Sequence, residues 1–178
     1  MQLAAYDLFG GTLEPLKNAH NMNRGQALYE EHSEAFREIL QAQYDVTQKY
    51  FAEIGIESLT LYRGQRHPPK GMKSEKSDSG RLNIDRLTDA VMQPLSSFSS
   101  GPELAFKKPY VIIANFAVEN IHSFSGTGLG THLEKEVVVI GNLRGSMWLI
   151  SGHSPYSISK DWLQEKLQEV DLDHYSEQ

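Results

Sequence analysis

LEKEVVVIG, residues 133–141, sets two carboxylates, Glu134 and Glu136, at the mouth of a run of branched aliphatic residues. In an extended strand alternate side chains share a face, so the spacing puts both acids on one side, roughly 6.5–7 Å apart at their α-carbons. Two carboxylates so placed suit cleavage of a glycosidic bond, where one acid offsets sugar cation character and the other handles the incoming group. Arg63 closes LTLYRG, in line with Leu59 and Leu61 on an apolar stripe. A guanidinium there suits a carboxylate or phosphate, which its planar fork grips with two hydrogen bonds. LSSFSS surrounds Phe98 with Ser96, Ser97, Ser99 and Ser100. Small hydroxyls in a strand can brace a neighbouring carboxylate and leave room for a ligand. Each feature also has an ordinary reading: a solvated strand entrance with Lys135 as ion-pair company, an arginine reaching water, and a serine-rich strand edge.

The elements that must position these groups follow from pattern. Apolar residues recur at three- and four-residue spacing through residues 25–54 (Phe36, Ile39, Leu40, Tyr44, Thr47, Tyr50, Phe51), predicting one bent helix or two, with Gly55 as C-cap. Residues 1–23 carry turn formers and little periodicity. Strands are expected over 56–64, 95–100, 110–118, 121–124, 133–140 and 146–150, and short helical pieces over 84–92 and 103–107. Residues 66–81, RHPPKGMKSEKSDSGR, read as an exposed loop. Ser159 can N-cap a final helix over 157–172, with Trp162, Leu163, Leu167 and Val170 on its apolar face. Helices dominate the first half and strands the second, an α+β pattern without βαβ alternation.

Composition narrows the setting. The chain has 178 residues and no cysteine, so disulfides and thiolate metal sites are excluded. A length of this order fits one domain, here residues 1–178 with a helical lead-in over 1–55 and a strand-rich part over 56–150. The net charge of −6 lacks the basic excess of a dedicated DNA-binding module. The first residues do not resemble a signal peptide, and no apolar run reaches membrane-spanning length. The expectation is a soluble, cytoplasmic protein, or one delivered into a target cell without a classical signal.

Taken in order, LTLYRG, LSSFSS and LEKEVVV resemble the arginine–serine–glutamate class of mono-ADP-ribosyltransferases, which includes bacterial toxins with an E-x-E motif. IIANFAVENIHSF followed by SGTGLGTHLEKE is similar to the family's strand, Ile-x-Ser-aromatic step and loop into E-x-E, so the resemblance spans residues 56–141. It implies a single domain with N-terminal helices packed on a mainly antiparallel split β-sandwich, and a glycosyltransferase using NAD as co-substrate, without a metal. Glu136 would offset charge at the ribose and Glu134 would face the acceptor. Arg63 would hold phosphates, and Gly64 would let the dinucleotide approach the backbone. Tyr62, Ser97, Phe98 and Ser99 would complete the NAD site. The family often has Ser-Thr-Ser in the middle motif, so Ser97 or Ser99 can be the motif serine, with Ser97 preferred. The loop 125–131 would recognise the acceptor, helped by Phe124 and His132, with its glycines allowing it to move. Protein arginine is the expected acceptor, ahead of RNA, in the setting of a toxin, an effector or a phage enzyme, with a neutralising immunity protein as a further partner. The alternatives are an NAD glycohydrolase and a catalytically silent binding or structural module on the same scaffold.

Other chemistries fit less well. GTGLG lacks the dinucleotide glycine spacing and leads into a strand where a helix should open. The seven histidines show no His-x-x-x-His pair. No glycine-flanked serine forms a nucleophile elbow.

Overall fold

The computed structural model describes residues 1–13, 16, 22–68, 83–87, 92–133, 135–141 and 147–151, with 83–87 and 147–148 described by backbone alone. Glu134, His153, residues 69–81 of the polar loop and the expected helix over 157–172 lie outside the described residues.

Two helices lead the chain. α1 spans Gln2–Phe9 and α2 spans Met22–Ile54. α1 falls where the sequence shows only turn formers. It is short and has no side-chain N-cap bond. Its stability comes from tertiary packing: Ala4 and Ala5 are fully buried against Leu40, Leu95 and Val138, where larger side chains would hold the helix away. Gln2 fastens α1 to the sheet, its Nε2 donating to Leu95 O (2.8 Å) and its Oε1 accepting from Leu95 N (2.9 Å). α2 is two helical segments meeting at His32, whose φ of −128° and ψ of 25° interrupt the helix. Gly55, at φ +68°, ends it, and Ile56 N donates back to Phe51 O (3.2 Å), closing the last turn.

Seven strands follow: β1 (Ser58–Gln65), β2 (Asn83–Leu87), β3 (Leu95–Ser99), β4 (Tyr110–Ala117), β5 (Ile121–Phe124), β6 (Glu136–Ile140) and β7 (Met147–Ser151), with a one-turn α3 (Pro102–Ala105) between β3 and β4. The order is β2-β7-β4-β1-β3-β6-β5, and every described pairing is antiparallel. The architecture is therefore α+β with a mainly antiparallel sheet.

β1 and β4 are paired along their full length, yet β1 meets β3 at the single pair Tyr62↔Ser99. Strand alternation explains the layering on either side of that seam. Leu61, Ile112, Ala114, Phe116 and Leu149 from one half share a core with Phe98, Ile121, Val137 and Val139 from the other, together with Phe51 of α2. The opposite face of the first half, Tyr62, Val111, Ile113 and Ile150, packs on Ala105 and Phe106 at α3. The opposite face of the second half, Leu95 and Val138, packs on α1 and α2.

Two expectations are corrected. Residues 83–87 pair with β7 as a strand, where a helix over 84–92 was expected. Five residues carry too few repeats to separate a period of 2 from one of 3.6, and pairing to β7 decides the outcome. β6 begins at Glu136, three residues later than the apolar run suggests. Leu133 is 95% exposed and Lys135 turns at φ +48°. Glu136 is therefore the first residue of β6.

Candidate functional site

The site lies at the seam between the two halves of the sheet. On β1 the stripe of Leu59 and Leu61 runs out of the core into Arg63, whose guanidinium sits over the Phe98 ring, 5.7 Å from its centroid. Phe98 itself is anchored edge-on against Phe116 at 4.9 Å. Burying Phe98 turns its neighbours Ser97 and Ser99 to the other face of β3. Ser99 stands directly across the ladder from Glu136, and Ser97 across from Val138. Both serines line the cleft, with Ser97 exposed and Ser99 partly buried, its Oγ accepting from Gly101 N at 3.1 Å.

Tyr62, Arg63, Gly64, Ser97, Phe98, Ser99 and Glu136 thus line one cleft of about 400 Å³. These residues come from three strands that are far apart in the chain. The volume falls within the range usual for ligand sites, roughly 300–1,000 Å³. The cleft's other wall is α3 and the turn after it: Leu104, Ala105, Lys107 and Lys108. Sequence reasoning missed this wall. A pair of lysines before a strand is an ordinary surface feature, and its only hint is Gly64, since a Cβ there would collide with Ala105 O. The close approach at Gly64 is made by the backbone of α3, which fills the space a side chain would take.

The electrostatics favour an anion. Arg63, Lys107 and Lys108 face a single described carboxylate, Glu136. Among the described residues Arg63 forms no ion pair, and burial pulls its pKa below the ordinary value. Burial, with Glu103 adding to it, pushes the Tyr62 phenol up, so Tyr62 stays neutral near pH 7. Comparisons with protein-family models, with curated proteins and with solved structures find no match.

Glu136 is held from the loop that precedes it. Its Oε2 accepts from Thr131 N (2.9 Å) while its own N–H donates to Thr131 O (3.0 Å). One donor to this carboxylate is therefore a backbone amide. The loop over 125–131 is in turn tied down. Thr127 Oγ1 lies 2.6 Å from Thr47 Oγ1 of α2, Ser123 Oγ lies 3.1 Å from Leu129 O, and Gly128 leaves room for the Gln43 side chain. The adjoining His122 is fully buried between Leu40 O, 3.1 Å from Nε2, and Ser123 Oγ, 2.9 Å from Nδ1. A carbonyl only accepts, so Nε2 carries the proton.

Glu136 also borders a second cleft of about 330 Å³. Phe124 and His132, singled out for acceptor contact, line it with Tyr50, Ile54, Ile56 and Lys135. The position of Glu134 lies outside the described residues. Among the described residues no group of His, Asp and Glu is placed to hold a metal ion, and no helix is long and apolar enough to cross a membrane.

Proposed function

We propose that the protein is a mono-ADP-ribosyltransferase that moves ADP-ribose from NAD to a macromolecular acceptor and releases nicotinamide. The observation that carries this reading is the meeting of Arg63, Ser97 and Glu136 in one cleft whose remaining charges, among the described residues, are the cations Lys107 and Lys108. NAD offers a diphosphate to such cations and a ribose bonded to a cationic leaving group. Arg63 and the two lysines would hold the diphosphate, Arg63 through its planar fork. Ser97 and Ser99 would supply hydroxyls beside the ribose.

The chemistry needs only positioning and charge. The bond from ribose C1′ to the nicotinamide nitrogen breaks, and nicotinamide leaves neutral with the electron pair. Positive charge then spreads over C1′ and the ring oxygen. Glu136, aimed by Thr131 N, would offset that charge. The acceptor forms the new bond to C1′ and gives up a proton. Because Glu136 borders both clefts, the dinucleotide on one side and the acceptor on the other would meet at the same carboxylate.

The test is incubation with NAD labelled in its ADP-ribose portion, with and without cell lysate. The reading expects label on a macromolecule together with free nicotinamide. Nicotinamide without transfer to any lysate component would instead mark an NAD glycohydrolase. NAD left intact would leave a silent binding module as the better account.

A further inference from the structure

The second cleft has a lining that the transfer reaction alone does not require. Its wall is a cluster of three rings, with Tyr50 5.7 Å from Phe51 and 5.1 Å from Phe124, and Phe51 5.8 Å from Phe124. Tyr50, Ile54 and Ile56 continue the wall to the surface, where they are 43%, 45% and 36% exposed. Val46, 53% exposed, extends the same strip, because residues 46, 50 and 54 stack on one face of α2. Contiguous apolar surface of this kind, beside a polar rim, marks an interaction site.

The charge around the strip selects its occupant. Along the strip and its cleft, Asp45, Glu53, Glu57 and Glu136 stand against Lys49 and Lys135 among the described residues. Both cations are paired, Lys49 3.9 Å from Glu53 and Lys135 3.9 Å from Glu103. A nucleic acid would bring phosphates against this acidic surface. A protein segment with a bulky apolar residue among basic ones matches both the apolar wall and the charge. Resting on the transferase reading above, we infer that the acceptor is such a protein segment, anchored by an apolar side chain in the cleft of Tyr50, Ile54, Ile56 and Phe124, which presents its acceptor group to Glu136.

The experiment compares wild type with Ile54→Lys and Ile54→Ser, using labelled NAD and lysate. It scores label on protein, label on RNA and nicotinamide released. Ile54 is exposed, so folding is checked simply by an unchanged melting temperature. The ratio of label on protein to nicotinamide released should fall at least tenfold in Ile54→Lys and by a smaller factor in Ile54→Ser. A ratio within twofold of wild type in Ile54→Lys overturns the inference and leaves the transferase reading intact, as does label found on RNA in place of protein. A wild type that releases no nicotinamide overturns both.

Discussion

Replacing Arg63 by methionine separates a residue kept for a ligand from one kept for the fold. Arg63 is partly buried, forms no ion pair among the described residues, and has lost water on burial. Its described attraction is to the Phe98 ring at 5.7 Å, an interaction worth about 0.5–1 kcal/mol. Methionine keeps the reach and a comparable contact of sulfur with the ring. Removing a desolvated charge that has no ion-pair partner among the described residues should then raise stability by about 1–2 kcal/mol, or roughly 2–8 °C in Tm for a chain of this size. NAD binding should move the other way. One charge-assisted hydrogen bond to phosphate is worth about 1.5–3 kcal/mol, so affinity should fall about 10- to 150-fold. Thermal melts with and without NAD, and calorimetric titration, read both quantities on one preparation. A fall of several degrees in the ligand-free melt would show that Arg63 braces the fold. Unchanged NAD affinity would remove it from the site.

Three further outcomes follow from the same geometry. Gly64→Ala should lower stability by about 1–3 kcal/mol, because the new Cβ meets the α3 backbone; differential scanning calorimetry checks this, and an unchanged Tm would mean α3 is free to move away. His122 is buried neutral, and burial, only partly opposed by its bond to Leu40 O, lowers its pKa below 6.5. The unfolded chain therefore binds the proton first, so this contribution to stability is complete above about pH 6.5 and shrinks as pH falls below it. Melts from pH 7.5 to 5 should show a drop that is shallower in His122→Gln. Thr47→Val deletes the hydroxyl that meets Thr127 Oγ1 and Gln43 O. It should cost about 1 kcal/mol and speed hydrogen exchange at the amides of Thr127 and Gly128.

Alternation along strands made much of the candidate site legible. Leu59, Leu61 and Arg63 could be placed on one face of β1, and the burial of Phe98 between flanking serines follows from the same rule. What could not be read was anything set by partners distant in the chain. α1 rests on Ala4 and Ala5 packing into a space shaped by α2, β3 and β6, and no local signal announces it. β2 is a strand because β7 pairs with it. The start of β6 was misplaced because Leu133 looks like core yet is exposed, while the turn at Lys135 is specified by bonds from Ser100 to Lys135 O rather than by turn-forming residues. Lys107 and Lys108 reach the cleft only because α3 lies on Gly64.

Nicotinamide release by wild type and Glu136→Gln, with NAD affinity measured on both, tests the central claim most directly. Gln keeps the size of the side chain and removes the charge placed by Thr131 N. The account predicts release by wild type, and near-abolition of release in Glu136→Gln with affinity changed little. Equal release from the two proteins, or no NAD binding by either, would contradict it.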